Sequence, residues 1–302
     1  NFNGFKPMRN YGGSLENKQY RYSLNSNQAA LSWKPFDAWR IGIRHSRSQR
    51  APEINELFAA NRHFAVFANE SGNTDLKKET AKTWELSNEF KWKNSTLKAA
   101  YYHTAFDNYI YLNDSGAEAE WMPIRYWQQG DTKIRGFELE FTHLFDLKRA
   151  GSLEARLFAD LVKNYPAERP SCDREDMRNH EKWAKCIRAH NQGKYMPAMP
   201  TSRYGIGLEW SKGNWLLGSS LTRYTAQKRR GRAIYEEPNL GGYNIWDAYL
   251  SYTRKLPKDL TLEWFADARN LGNVEARPHN STLKYLAPLP GRSLRTGLRL
   301  NF

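Results

Sequence analysis

The sequence lacks the features that mark most membrane helices and most zinc-finger domains. No run approaches the roughly 18 consecutive apolar residues that a membrane-spanning helix requires, and no amphipathic helix of any length stands out. Cysteine is scarce, since Cys172 and Cys186 are the only two in the chain, and no His or Cys accompanies them at zinc-finger spacing. These absences exclude a protein that crosses a membrane with helices.

The two cysteines lie in one polar stretch, with thirteen residues between them. This proximity favours a local disulfide between Cys172 and Cys186. A disulfide points to an oxidising compartment such as a periplasm, a cell surface or the exterior. The alternative is a pair of unrelated free thiols.

Aromatic residues and positive charge are plentiful. The 302 residues carry a net charge of +14, and aromatics make up 14% of the chain, with eleven Trp and seventeen Tyr. Disordered chains are poor in aromatics, so disorder is excluded for most of the length. The chain begins without Met and without a signal segment, and we therefore interpret it as mature or truncated at its N-terminus.

An alternation of apolar and polar residues dominates the sequence. In residues 203–210, Tyr204, Ile206, Leu208 and Trp210 alternate with polar residues and glycine, and residues 294–302 repeat the pattern. A period of two is typical of strands with one apolar face. We count eleven such segments, which predict an all-β fold.

Short and long connections alternate strictly between these segments, as in a transmembrane barrel with tight periplasmic turns and long outer loops. Tryptophans lie next to the turns and loops, as a girdle at a lipid–water interface requires. The apolar faces carry no Lys or Arg at their centres, so the charges face a wet lumen. The long loops are predicted at 46–79, 112–124, 164–201, 226–241 and 270–291.

An odd number of strands does not close a wholly antiparallel barrel, and single-chain bacterial barrels avoid it. The sequence therefore predicts one part of a larger barrel, with earlier strands and any lumen plug outside this chain. Phe302 ends an alternating strand and resembles the C-terminal signal that the barrel-assembly machinery recognises.

Several motifs resemble those of TonB-dependent outer-membrane receptors. They are the run 46–58 (SRSQRAPEINELF), the run 73–80 (NTDLKKET) followed by Glu-Leu-Ser at 85–87, the Asp-Asn-Tyr-Ile at 107–110, and the run 134–140 (IRGFELE). Within that family, His63-Phe64-Ala65 with Glu70, and the run 275–292, are similar to zinc-uptake receptors of the ZnuD type.

The resemblance implies an antiparallel transmembrane barrel of about twenty-two strands filled by an N-terminal plug, of which this chain is the C-terminal half, without the plug. It implies TonB-driven import of a scarce nutrient, most simply Zn²⁺, with no resident cofactor. His63 matches a zinc-ligand position, and Glu70 is a second ligand or orients His63. The remaining ligands are expected from the plug or the missing half of the barrel. His279 matches another family position, where we expect a structural role.

Other sites and functions stay open. His180, His190, Asp173 and Glu175 are a possible secondary metal-capture surface in the loop that holds both cysteines. A haem or siderophore receptor is the main alternative, since Tyr and His in outer loops can ligate haem iron. A surface adhesin or partner-binding protein is the second alternative.

Enzymatic activity and nucleic-acid binding are not expected. We find no Ser/His/acid set at interpretable spacing, and Lys and Arg are spread along the chain apart from the cluster at 228–232. In an outer loop, that cluster would attract lipopolysaccharide phosphates, so outer-membrane lipids are expected partners.

Overall fold

The computed structural model of the chain describes residues 19–60, 62–166, 195–229, 231 and 240–302. In these ranges, eleven strands follow one another as antiparallel neighbours in one sheet, which confirms the predicted all-β fold and strand count. The sheet runs through β1 (Asn27–Phe36), β2 (Trp39–Arg50), β5 (Glu79–Trp92), β6 (Ser95–Ala119), β7 (Met122–Asp146), β8 (Ser152–Pro166), β9 (Arg203–Lys212), β10 (Trp215–Tyr224), β11 (Tyr243–Lys255), β12 (Thr261–Arg269) and β13 (Ser293–Asn301).

Four short elements lie off this path, between β2 and β5. They are the helix α1 (Ile54–Phe58), the strand β3 (Arg62–His63), a 3-10 turn (Phe64–Val66) and the strand β4 (Ala68–Ser71). No helix in the described ranges is long and apolar enough to cross a membrane.

The outward face of the sheet is apolar and uncovered. Leu31, Trp84 and Trp246 lie on this face and are each at least half exposed. The strand alternation puts every second side chain on this face, and no layer of described residues packs over its large apolar side chains. Such a face is suited to lipid, as the sequence predicts.

The opposite face is polar and carries ion pairs between neighbouring strands. Lys98 Nζ lies 3.3 Å from Glu140 Oε1, whose other oxygen contacts Arg156, and Arg203 Nε lies 2.6 Å from Asp160 Oδ2. These charged groups remain partly exposed to the lumen, so each pair contributes only about 0–1 kcal/mol. These ion pairs fix the orientation of the charged side chains along the lumen wall. Further pairs join Arg40 to Glu89, Arg44 to Glu85, Arg295 to Asp267 and Arg299 to Glu263.

Aromatic rings on the polar face cover glycines on the adjacent strand. In four directly paired positions, the ring lies where a glycine Cβ would be. A glycine in a strand has no side chain to pack, and an aromatic ring from the neighbouring strand fills the space instead. The four pairs are Tyr102 with Gly136, Phe158 with Gly205, Tyr249 with Gly218 and Phe265 with Gly297.

We expect Gly136→Ala to destabilise the barrel by about 1–3 kcal/mol, the usual cost of overpacking. A Cβ at Gly136 would lie 2.1 Å from Cζ of Tyr102, so the ring must leave its place. The matched control is Gly207→Ala, on the same face, whose Cβ would meet nothing nearer than Arg156 Cβ at 3.9 Å. Denaturant unfolding of the full-length receptor in detergent tests this. Equal stability of the two variants would contradict it.

The prediction of a long loop at 112–124 is wrong, because β6 and β7 continue through this range as strands of 25 residues each. Their connection is the turn at Glu120 and Trp121, both with positive φ (52° and 67°), the twist that a tight hairpin requires. In the structure, Asn113 and Asp114 pair with Tyr126 and Arg125 of β7, and a bulge between Asp114 and Glu118 accommodates the residues that follow.

Candidate functional site

The outer end of β2 leads into a helix that is stabilised by its own first turn. Glu53 is the N-cap of α1, and a capping box joins its backbone and side chain to Glu56. The backbone N–H of Glu53 donates to Glu56 Oε2 at 2.7 Å. This arrangement satisfies N–H groups that a helix start leaves unpaired. The motif at 46–58 therefore ends in a defined helix.

Arg50 ties this helix to the barrel. Its guanidinium donates to both oxygens of Glu56 (3.1 and 2.9 Å) and to both oxygens of Glu79 at the start of β5 (3.2 Å each). Glu79 also accepts the backbone N–H of Ile110 in β6 at 2.8 Å. Both carboxylates are buried. Three strands and the helix thus meet at the Arg50 clasp, defined as Arg50, Glu56 and Glu79.

The clasp lies outside the membrane-crossing part of β2, and it keeps Arg50 charged. Burial acts to lower the pKa of Arg50, but the hydrogen bonds and charges of Glu56 and Glu79 outweigh it and raise the pKa. A guanidinium held by two bidentate carboxylates is geometrically fixed. Arg50 is therefore a charged structural anchor between α1 and β5.

The backbones of Gly72 and Asn73 hydrogen-bond to α1 and to the residue that follows it. The backbone N–H of Asn73 donates to Glu56 O at 2.8 Å, and that of Gly72 donates to Ala59 O. A Cβ on Gly72 would lie 2.5 Å from backbone atoms of Leu57 and Phe58, so only glycine fits. Residues 51–73 therefore form a closed loop with two ties at its base.

The hairpin of β3 and β4 projects from this loop and lies against the extended part of β7. β4 pairs with β7 in parallel, with Asn69 opposite Ile124 and Glu70 opposite Arg125. At the tip of the β6–β7 hairpin, Asn69 Nδ2 donates to Ala119 O at 2.8 Å. An ion pair between Arg62 and Glu120 adds a second contact there. The outer loop and the long hairpin are thus one unit.

His63 and Glu70 face each other across this small hairpin. His63 Nδ1 lies 3.2 Å from Glu70 Oε1, with Glu70 buried and the His63 side chain 53% exposed. A carboxylate on Nδ1 fixes the tautomer that leaves Nε2 with its lone pair, and it strengthens Nε2 as a ligand. His63 is thus suited to bind a metal centre with Nε2, while Glu70 orients the ring.

The pair does not form a complete zinc site. Among the described residues, no group of three or more His, Cys, Asp and Glu side chains could hold a metal ion. Zinc usually takes four ligands, or three with water. The structure brings together the two predicted residues, His63 and Glu70, without further side-chain ligands from this part of the chain.

A second outer structure is built from the segments 195–200 and 270–291. His279 is buried, with Nδ1 3.1 Å from Met199 O, and Lys284 Nζ donates to His279 O at 2.9 Å. Gln227 donates to Met199 O and Pro200 O at 3.1 and 2.9 Å. His279 therefore holds loops together, which agrees with the structural role predicted for it.

The lumen wall contains a cavity of about 620 Å³ on the concave polar face. Charges of both signs line it, including Arg40, Glu89, Lys98, Glu140 and Arg203. Arg40 pairs with Glu89, Lys98 with Glu140 and Arg203 with Asp160. With these charges paired, the wall is suited to contact another polar body or water.

Other predicted residues fall outside the described ranges. These are Cys172, Cys186, His180, His190, Asp173 and Glu175, so the disulfide and the secondary metal-capture surface stay predictions. Phe302 follows the end of β13 and is fully exposed. Sequence reasoning missed the Arg50 clasp, although the Glu53 and Glu56 spacing is a capping-box signal that could have located α1.

Comparison with known proteins identifies a family that matches this chain. The family described as TonB dependent receptor-like, beta-barrel matches residues 3–271. The chain is 24% identical over 222 residues to the probable hemoglobin and hemoglobin-haptoglobin-binding protein 1 of Haemophilus influenzae, a match that covers 69% of this chain and 20% of that protein. It is 28% identical over 138 residues to hemoglobin and hemoglobin-haptoglobin-binding protein B of the same species (41% and 13%). The chain thus spans about a fifth or less of the length of these curated relatives.

Solved structures show the same fold. The copper transporter OprC superposes with a TM-score of 0.64 at 17% identity, covering 91% of this chain and 39% of that one. The FrpB iron transporter from Neisseria meningitidis (F3-3 variant) gives 0.58 at 16% identity (90% and 38%). The siderophore receptor PirA from Acinetobacter baumannii gives 0.58 at 15% identity (90% and 40%).

Proposed function

Because the chain belongs to the TonB-dependent receptor family, whose members are outer-membrane receptors and not enzymes, we propose that the full-length protein imports haem taken from a haemoglobin-like protein. The observation that carries this proposal is the similarity, over 69% of the chain, to a protein named for hemoglobin binding. Receptors of this family work with TonB, which would supply the energy for release inward.

The geometry around His63 supports haem as the cargo. Haem iron takes imidazole as an axial ligand and needs a single protein nitrogen on one face. His63 offers one half-exposed ring oriented by Glu70, which meets that requirement with the residues at hand. Zinc would need further ligands that the described residues do not supply. We therefore prefer haem to the zinc that the sequence suggested.

Zinc is the second candidate, favoured by the contact between His63 and Glu70. Imidazole nitrogen and carboxylate oxygen are both zinc ligands. Under this proposal, Glu70 would bind the metal directly. Under the haem proposal, Glu70 only orients the ring.

We expect haem titration of the full-length receptor to give a saturable Soret shift, with at least about tenfold weaker affinity for His63→Ala, since an axial bond is lost. The control is His143→Ala, at the opposite end of the barrel, where His143 Nδ1 contacts Ser95 Oγ at 2.7 Å. Absorption spectroscopy, repeated with Zn²⁺ and with a ferric catecholate as competitors, measures this. Tight Zn²⁺ binding that His63→Ala abolishes, without haem binding, would support zinc instead.

A further inference from the structure

A cluster of cations lies on the lipid-facing side of the sheet, where the apolar band ends toward the outer loops. It is most concentrated where β7 and β8 leave the band. The basic patch is defined as Arg47, Lys82, Lys133, Arg135, Lys163 and Arg229.

Strand register places most of these side chains on the outward face. Arg135 is two residues beyond the exposed Phe137 in β7, and Lys163 is two residues beyond the exposed Leu161 in β8. Residues two apart share a face of a strand. Arg135 and Lys163 are also direct cross-strand partners. They therefore stand side by side just above the apolar band.

Two guanidinium groups of the patch are held in place by Tyr165. The Arg135 and Arg229 guanidinium carbons lie 5.0 and 5.1 Å from the centre of the Tyr165 ring. Arg135 Nε also donates to His103 Nδ1 at 3.0 Å, and Arg229 donates to Asn164 O at 3.3 Å. Cation–π contacts fix the positions of these groups but leave their charge uncompensated.

Carboxylates balance little of this charge. In the parts of the chain described above, Lys82 is the one patch residue with an ion pair, to Asp107 at 2.7 Å. Asp131, on the same face of β7, accepts the backbone N–H of Asn108. Lys133, Arg135 and Lys163 thus face outward, and Arg229 lies over the Tyr165 ring beside them. Among the residues that the structure describes, no carboxylate forms an ion pair with any of these four cations. Like charges this close repel unless an anion lies among them.

We propose that the basic patch binds the phosphate groups of lipopolysaccharide, with the acyl chains against the apolar band beneath it. The patch lies at the end of the barrel opposite the short turns, which is the end at the outer leaflet. Trp84 and Tyr101 are exposed on the same face below the patch and provide apolar contact. This inference depends on the outer-membrane location and not on the identity of the cargo.

The test uses the full-length receptor with Lys133, Arg135, Lys163 and Arg229 all changed to Gln. We expect its affinity for purified lipopolysaccharide in detergent to fall by at least about tenfold, since each cation near an anionic lipid surface contributes to binding. We expect the wild-type protein to bind dephosphorylated lipopolysaccharide as weakly as the variant binds the native lipid. Higher salt is expected to weaken wild-type binding.

The matched control neutralises four cations in the short turns, with Lys93, Arg149, Lys212 and Lys258 changed to Gln. It is expected to bind lipopolysaccharide like the wild type. Folding of each variant is checked by the change in its gel migration on heating, which folded barrels show. If the fourfold variant does not fold, the double variant Lys133→Gln with Arg135→Gln replaces it. Unchanged binding by the patch variant would overturn the proposal, as would equal wild-type binding of phosphatidylglycerol.

Discussion

Replacing Arg50 by alanine is expected to free the segment 51–79 from the barrel and to destabilise its closed form by about 2 kcal/mol. The change leaves Glu56 and Glu79 buried without a counter-charge. Removing one partner of a fully buried ion pair lowers the free energy of unfolding by about 3–5 kcal/mol. The Arg50 side chain is 38% exposed, so solvent screening reduces this value. Hydrogen exchange of α1 and the β3–β4 hairpin in the full-length receptor measures the opening.

Two variants separate the clasp from a general effect of charge. Arg40→Ala removes an exposed lumen pair with Glu89 at 3.4 Å, and we expect a loss below about 1 kcal/mol. Arg50→Met combined with Glu56→Gln and Glu79→Gln is expected to recover part of the stability, because glutamine can still accept the N–H groups of Glu53 and Ile110. If Arg50→Ala exchanges like Arg40→Ala, the clasp is not the anchor.

Gly72→Ala is expected to have an effect of similar size, about 2–4 kcal/mol, on the same segment. A Cβ there would lie 2.5 Å from the Leu57 carbonyl carbon and oxygen and from the Phe58 nitrogen. Since these are backbone atoms and not flexible side chains, α1 must move away and the bonds from Gly72 and Asn73 must break. Because the hairpin with His63 depends on this closure, ligand affinity is expected to fall as well.

Gly241→Ala is the control for Gly72→Ala, since a Cβ at Gly241 would meet nothing within 4 Å. We expect it to leave exchange rates and ligand binding unchanged. Protease accessibility of the segment 51–79 in whole cells gives a second measurement. A Gly72→Ala receptor as resistant as the wild type would show that the loop tolerates displacement of α1.

The alternating pattern was sufficient to predict the sheet, because lipid on one side and water on the other impose a strict period of two. Where both faces meet water, that constraint ends. The outer parts of β6 and β7 therefore looked like a loop, although backbone hydrogen bonds continue through them to Glu120 and Trp121. Pairing with β4 on the other side of β7 adds support that no local pattern reveals.

The candidate site could be predicted only in part. The resemblance singled out His63 and Glu70, which the structure places 3.2 Å apart. The clasp was not predictable from local spacing, since Arg50 and Glu79 are 29 residues apart and meet only through strand register. Zinc and haem sites both use imidazole, so His63 alone does not distinguish the two cargoes in the sequence.

The length of β6 and β7 determines how far their hairpin projects from the membrane. About 10 residues of a tilted strand cross the bilayer, and the remaining residues of each 25-residue strand, at about 3.3 Å apiece, rise tens of ångströms above it. Trp121, at the turn of this hairpin, is 89% exposed. Asn69 and Arg62 contact Ala119 and Glu120 beside it, so the β3–β4 hairpin that carries His63 is held at the same height. A macromolecule that reaches this tip therefore meets the hairpin of His63 there, far from the bilayer surface.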